Sequence, residues 1–156
     1  MKKNLLFACV AVLTLGLAFA QDDHFAGTTT EALGSITPDT AEGQTLVFLR
    51  ITMEPGARID AHNHPGSVIL VVDAGTFGTE FTQGEGQITR SGEEKAQTVR
   101  PGTEQVMEVG DSLAYGGSAA HTMVNAGDEP LVLLVSALLD SDQPGFLFHD
   151  EEHAGD

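Results

Sequence analysis

The chain has 156 residues, of which 23 are acidic and 7 are basic, so its net charge at pH 7 is −16. Nucleic acids and anionic membranes are disfavoured as partners, because their phosphates attract basic residues and repel acidic ones. Two interpretations of the acidity stay open, namely solubility outside the cell and attraction of cations.

Residues 1–20, MKKNLLFACVAVLTLGLAFA, have the pattern of a secretory signal peptide. Two lysines precede an apolar run from Leu5, and the small residues Ala18 and Ala20 stand before the expected cut. The alternative is a transmembrane anchor, but the run is rather short for one and no stop-transfer pattern follows it. We therefore expect a secreted or periplasmic protein that begins at Gln21 and has no membrane contact after cleavage.

The mature chain would contain no cysteine, because the single Cys9 lies in this leader. Disulfides and thiolate–metal bonds are then excluded, which leaves His, Asp and Glu as side-chain ligands for a metal. The remaining length suits one domain. We divide it into an N-terminal leader with a first strand at 21–43, a β-rich region at 44–139 and an acidic tail at 140–156.

Helix signals are scarce, and short β-rich runs alternate with turn residues, which predicts an all-β sandwich or barrel. Residues 44–54 form a first clear strand that ends at a Pro-Gly pair. Residues 67–73, SVILVVD, predict a strand that is buried on both faces or lies at a sheet centre. Residues 76–81 would be its hairpin partner.

The second half of the chain continues this pattern. Two short strands near 87–90 and 97–100 would form a surface hairpin around the polar sequence SGEEKA. Later strands are predicted at residues 105–109, 120–125 and 131–139. In the acidic tail we expect fraying, except where Phe146–Phe148 could dock on the domain.

His62 and His64 stand one residue apart in the sequence AHNHPG. Side chains two apart on a strand share a face, so both rings could reach one ion. The alternative is a pair of exposed histidines at a strand edge. Asp60 precedes the pair by two residues and could orient one ring from behind. A further histidine, His121, stands alone in a later strand.

Two segments around these histidines resemble the two motifs of the cupin family. Residues 56–75, GARIDAHNHPGSVILVVDAG, match G-x5-H-x-H-x3/4-E-x6-G in every spacing. Residues 110–125, GDSLAYGGSAAHTMVN, match the glycine, histidine and asparagine of G-x5-P-x-G-x2-H-x3-N. The resemblance implies a single jelly-roll barrel, also called a double-stranded β-helix. It also implies structural roles for the motif residues Gly56, Gly75, Gly110 and Asn125.

The chain departs from the family pattern at three positions. Gly116 and Ser118 replace a proline and a glycine in a turn, which leaves the barrel itself in no doubt. Val68 stands where the family has a glutamate ligand. By this correspondence the metal ligands are His62, His64 and His121. For Asn125 we expect a structural hydrogen bond at the end of a strand.

A three-histidine set is similar to that of some cupin dioxygenases, which act on thiols, diketones and gentisate-like aromatics. The resemblance therefore implies one divalent ion, with Fe(II) favoured over Mn, Ni, Zn and Cu. It implies a metal-dependent oxygenase acting on a small chelating molecule, and the alternative is a non-catalytic cupin that binds a small ligand or a metal. A homodimer is an expectation from the family alone.

Other residues near the motifs have subordinate roles. Val68, Met123 and Tyr115 are expected to line the pocket, because Met123 is a poor ligand for hard iron and a buried tyrosine is more often a core residue. His149 and His153 lie four apart in the acidic tail. We expect these two to be solvated, with weak metal capture as the alternative.

Overall fold

The computed structural model describes residues 23–148, which form a short 3₁₀ helix at Asp23–Phe25 and twelve strands. The first six strands are β1 Thr28–Ile36, β2 Gln44–Met53, β3 Arg58–Asn63, β4 Gly66–Ala74, β5 Phe77–Gln83 and β6 Gly86–Thr89. The others are β7 Gln97–Val99, β8 Glu104–Met107, β9 Ser112–Tyr115, β10 Ala120–Asn125, β11 Leu131–Asp140 and β12 Leu147–Phe148. Residues 23–148 contain no helix long and apolar enough to span a membrane.

The strands form two antiparallel sheets that face each other as a jelly-roll barrel, which confirms the predicted all-β fold. One sheet has the order β1-β2-β11-β4-β9-β6-β7, and the other has the order β12-β3-β10-β5-β8. Apolar side chains alternate along the strands and meet between the sheets, where Phe77, Phe81 and Leu133 are fully buried. The core is therefore the shared interior of the two sheets.

The predicted hairpin of residues 67–73 with residues 76–81 is wrong. β4 pairs with β9 and β11, whereas β5 lies in the other sheet between β8 and β10. The chain changes sheets at Gly75, whose φ is 78° and whose missing Cβ would lie 2.8 Å from the Pro130 carbonyl oxygen. Only glycine combines this backbone angle with so close an approach of another segment.

β4 lies near the centre of the larger sheet, as one of the two sequence interpretations predicted. It is not buried on both faces, because Val68, Leu70 and Val72 face the core while Ile69 is 59% exposed. The run of aliphatic residues in SVILVVD concealed this alternation. The face of the sheet toward which each side chain points is therefore set by the pleat of the strand and not by the hydrophobicity of the residue.

The surface hairpin predicted near 87–90 and 97–100 is present as the paired strands β6 and β7. The segment Phe146–Phe148 also docks as predicted, since β12 pairs with β3 through Phe148 and His62. The aromatic rings of Phe25, Phe146 and Phe148 cluster where this edge of the smaller sheet meets the segment before β1. Phe25 and Phe148 are partly buried and pack against the core of the barrel.

Asp111 fixes the turn that leads into β9. Its carboxylate accepts hydrogen bonds from the Arg90 guanidinium at 2.7 Å and from the backbone N–H groups of Ser91 and Glu108. Burial alone would raise the pKa of Asp111, but these hydrogen bonds and the Arg90 charge hold it below its ordinary value. The buried carboxylate therefore stays ionised and fully paired.

Asp111→Ala should lower the free energy of unfolding by about 3 kcal/mol, because it leaves a partly buried Arg90 and two N–H donors without a partner. Asp73→Ala is the control, since Asp73 is exposed and should tolerate the change within about 0.5 kcal/mol. Urea unfolding of both variants measures the difference. Equal effects would show that the Asp111 network is not stabilising.

Candidate metal centre

His62 enters the barrel because β3 contains a bulge. His121 pairs with His62 and Met123 pairs with Ile59, so β3 spans three residues where β10 spans two. The extra residue changes the alternation of faces, and both Ile59 and His62 are fully buried. Asp60, two residues before His62, consequently points outward.

The prediction that the Asp60 carboxylate orients the ring of His62 or His64 is therefore wrong. This carboxylate is largely exposed and lies near His24 and Arg58. Its backbone carbonyl performs the orienting role instead, because the His62 Nδ1–H donates a hydrogen bond of 2.7 Å to the Asp60 oxygen. A carbonyl can only accept, so Nδ1 carries the proton and Nε2 carries the lone pair in neutral His62.

His64 lies just after β3 and is held by the C-terminal segment. Its Nδ1–H donates a hydrogen bond of 2.6 Å to the carbonyl of Gly145, which is 81 residues distant in sequence. The same tautomer follows as in His62, with the lone pair on Nε2. Between the two histidines, the Asn63 side chain donates to the Gly117 carbonyl at 2.8 Å. Asn63 thus ties the first motif to the turn before β10.

His121 completes the set from β10, in the middle of the smaller sheet. Both of its ring nitrogens are buried and have no hydrogen-bond partner of regular geometry among the described residues. A buried imidazole without a well-formed hydrogen bond is costly, and a metal ligand role would offset that cost. A bound metal ion would satisfy one of these nitrogens.

The three histidines lie together inside the barrel. One nitrogen from each lies within 4.8 Å of the others, and all three residues are buried. The ring centroids of His62 and His121 are 4.6 Å apart, and those of His62 and His64 are 4.9 Å apart. Metal–imidazole bonds are about 2.0–2.1 Å long, so small ring rotations would bring these nitrogens onto one ion. The three residues fit a divalent metal.

Burial favours the neutral form of the His64 and His121 imidazoles. Burial lowers the pKa of His64, and the Gly145 hydrogen bond opposes this effect only in part. Burial also holds the pKa of His121 well below its ordinary value, with further lowering by the nearby His62 and His64 and slight opposition from the Ala119 backbone. Neutral imidazole is the form that ligates a metal.

A cavity of about 500 Å³ opens beside His64. Val68, Tyr115 and Met123 all line it, and Val68 pairs with Tyr115 across β4 and β9. The Tyr115 ring lies 4.5 Å from the His121 ring, and burial raises the pKa of its phenol. Tyr115 therefore presents a neutral phenol at neutral pH.

The other motif residues, Asn125, Gly56 and Gly110, form turns and hydrogen bonds of the fold. Asn125 ends β10, where its amide donates to the carbonyls of Met53 and Glu129 and its oxygen accepts from the Gly127 N–H. Gly56 and Gly110 have φ angles of 75° and 89°. These residues fix turns between strands.

Sequence reasoning missed Gly145 and Phe146 as parts of this centre. The Phe146 ring lies 4.9 Å from the rings of both His62 and His64, so it covers the histidines from the side of the tail. The apolar sequence of residues 145–148 within an acidic tail indicated docking but not its location. His149 and His153, and the signal sequence at 1–20, lie outside the described residues.

The metal-free protein should lose stability as pH falls below about 6.5, the ordinary pKa of histidine. His64 and His121 have lowered pKa values in the folded state, so the unfolded chain binds more protons in this range. Their stabilising contribution is complete above pH 6.5 and is lost as pH falls toward the folded pKa values. Each histidine contributes a slope of up to about 1.4 kcal/mol per pH unit.

Urea unfolding of chelator-treated protein between pH 7.5 and 5 measures this slope. His121→Phe replaces a buried titrating ring with an apolar ring of similar size, so it should reduce the slope between pH 6.5 and 5. An unchanged slope in this variant would contradict the assignment to His121.

Comparisons with known proteins agree with this architecture. The sequence pattern of the family described as Cupin domain matches residues 49–137. No curated protein matches the chain significantly by sequence. Among solved structures, a cupin-like protein from Thermotoga maritima has a TM-score of 0.50 at 20% identity, over 78% of this chain and 75% of that chain.

Two further solved structures have similar folds. Oxalate oxidase in complex with glycolate has a TM-score of 0.50 at 21% identity, over 78% of this chain and 55% of that chain. KdgF from Halomonas sp. has a TM-score of 0.49 at 18% identity, over 72% of this chain and 79% of that chain. At 20–21% identity, the structures with a TM-score of 0.50 indicate a common fold and not a common reaction. The family match spans more than half of the sequence, and the chain therefore belongs to the cupin family.

Proposed function

We propose that this protein is an exported cupin that holds one divalent metal through His62, His64 and His121 and acts as a metal-dependent oxygenase on a small chelating molecule. The observation that carries this proposal is the arrangement of three buried imidazoles beside an open cavity of about 500 Å³. This volume lies within the usual range of small-molecule pockets, about 300–1,000 Å³. The leader sequence at residues 1–20 supports export.

Each residue of the centre has a defined task in this proposal. His62 and His64 are held in the correct tautomer by the Asp60 and Gly145 carbonyls, so both would offer Nε2 to the ion. Val68 contributes no carboxylate, and three neutral ligands leave the double charge of the ion uncompensated. An anionic oxygen donor is therefore favoured as the group that completes the coordination.

A bound divalent metal of this type supplies Lewis-acid or redox chemistry to a chelated molecule. The protein would contribute a dry environment, because Val68 and Leu70 line the cavity next to the histidines and Phe146 covers them. Tyr115 would contribute a protonated phenol that can donate a hydrogen bond to a bound oxygen. These residues orient a ligand and exclude water.

The second candidate is a binding protein without catalysis. The described residues that line the cavity include no Asp, Glu, Lys or Arg. General acid–base catalysis in such a wall would depend on Tyr115 and the histidines alone. This observation favours a ligand-binding role as the alternative to oxygenation.

Elemental analysis of protein purified without a histidine tag tests metal binding. We expect about one equivalent of a divalent metal per chain after reconstitution and dialysis, and little metal in His121→Ala. Substantially less than one equivalent with all of Fe(II), Mn(II), Ni(II), Zn(II) and Cu(II) would reject the metal centre.

Oxygen consumption then separates the two candidate functions. The Fe(II)-loaded protein would be supplied with thiols, β-diketones and dihydroxybenzoates in an oxygen electrode, with His121→Ala as the control. Consumption that needs His121 supports the oxygenase. Tight ligand binding by the metal-loaded protein, without oxygen consumption for any class, supports the binding protein and contradicts the oxygenase.

A further inference from the structure

The wall of the cavity is mostly apolar, whereas the metal centre beside it consists of histidines. Aliphatic side chains from the inner face of the larger sheet form most of the wall, including Leu49, Leu70 and Val135. Val47, Leu49 and Ile51 line it at alternate positions of β2. Four residues of a strand measure about 13 Å, so the cavity extends along the sheet beyond the reach of a diatomic or two-carbon ligand.

Charge restricts what this cavity can hold. The protein has a net charge of −16, yet the described residues of the cavity wall include no Asp, Glu, Lys or Arg. A charged group without a partner is expensive to bury in such surroundings. A ligand can therefore carry its anionic group only at the histidine end, where a metal ion compensates it.

Thr28 and Thr30 add hydroxyl groups to the wall away from the histidines. Of these two hydroxyl oxygens, that of Thr28 is the one that is buried without a hydrogen-bond partner among the described residues. Thr28 of β1 is paired with Met53 at the end of β2. Val47, near the other end of β2, is paired with Ala137, which is paired in turn with Val68 beside Tyr115. Thr28 and Tyr115 therefore lie toward opposite ends of the strands that line the cavity.

From these features we infer that the site takes an elongated, largely apolar molecule with one anionic oxygen-donor head, and that Thr28 recognises a hydrogen-bonding group on its body. This inference rests on the proposed metal centre, which would bind the head. The aliphatic wall would bind the body by excluding water from it. Thr28 would be a specificity-determining residue, because a buried hydroxyl favours ligands that satisfy it over ligands that do not.

Carboxylates of graded length test the inference with the Co(II)-loaded protein. Calorimetry gives affinity, and the visible spectrum of Co(II) reports whether the carboxylate reaches the metal. Octanoate should bind at least about 100-fold more tightly than acetate, because each buried methylene adds favourable transfer free energy. Ile51→Phe, or Leu49→Phe if that variant folds poorly, should weaken octanoate binding and leave acetate binding and Co(II) content unchanged, because both residues line the cavity beyond the Val68 position.

Hydroxy acids test the role of Thr28. Among the six-, eight- and ten-carbon ω-hydroxy acids, at least one should bind wild type more tightly than its unsubstituted parent. Thr28→Val, which keeps the shape and removes the hydroxyl, should abolish that preference without changing the affinity for octanoate. A preference that persists in Thr28→Val, or no preference in wild type, would reject the assignment of Thr28.

The outcomes distinguish this inference from the proposed metal centre. If Co(II) binds stoichiometrically but octanoate is no tighter than acetate, the apolar ligand class is wrong and the metal centre stands. If octanoate binds with equal affinity to wild type and the cavity-filling variants, it binds elsewhere and the inference fails. If Co(II) does not bind at all, the proposed function itself fails.

Discussion

Replacing His121 with alanine should lower divalent-metal affinity by more than about 100-fold, because even the loss of groups that orient a ligand costs about 10–100-fold. His62→Ala and His64→Ala should have equally large effects, since the three nitrogens lie within 4.8 Å of one another and serve one ion. Two imidazoles hold an ion much more loosely than three. The three variants should therefore behave as one class.

Thermal melts with and without Fe(II), Mn(II), Zn(II), Ni(II) and Cu(II) measure this effect, because an ion that binds the folded state raises its melting temperature. His24→Ala is the matched control within the described residues. His24 stacks on Phe148 and contacts Asp60 at the surface, outside the three-histidine cluster. His153→Ala controls for metal capture by the tail.

Full metal-induced stabilisation in His121→Ala, together with its loss in His153→Ala, would place the ion in the tail. The barrel centre would then be wrong. A loss of stabilisation in all three barrel variants but not in the two controls is the expected result.

Val68→Glu should tighten metal binding and destabilise the metal-free protein by a few kcal/mol. Val68 is 3% exposed and lines the cavity next to the histidines, so a glutamate there would place a carboxylate near the ion. Without metal, this carboxylate would be buried with no cationic partner among the cavity-lining residues. With metal, the ion would compensate its charge.

Ile69→Glu is the matched control, because Ile69 is the next residue on β4 and is 59% exposed on the outer face. It should change neither metal affinity nor stability by much. Metal titrations and urea unfolding, each with and without ion, measure both quantities. Unchanged metal affinity in Val68→Glu would show that position 68 does not reach the centre.

Oxygen consumption or ligand binding that depends on an open coordination position should decrease in Val68→Glu. The added carboxylate would occupy that position and reduce the net charge of the centre. The comparison therefore also tests whether valine at position 68 is what makes the centre receptive to an anionic ligand.

The sequence by itself determined the fold class and the identity of the three clustered histidines. The fold class follows from the alternation and turns that favour strands, and the three histidines follow from the resemblance of two segments to the cupin motifs. The boundaries predicted at 44–54, 120–125 and 131–139 were also nearly right, because glycine and proline end strands by their own backbone preferences.

Only the tertiary structure decided how the strands pair and what holds the histidines. Gly75 sends β5 to the opposite sheet, and nothing within residues 67–81 distinguishes that turn from a hairpin turn. The bulge in β3 turns Asp60 outward, because pairing with β10 and not the alternation of β3 sets its direction. His64 is oriented by Gly145, whose contribution is a backbone carbonyl that any residue could supply. Such a contact has no sequence signature, since it exists only when the chain brings segments 81 residues apart into contact.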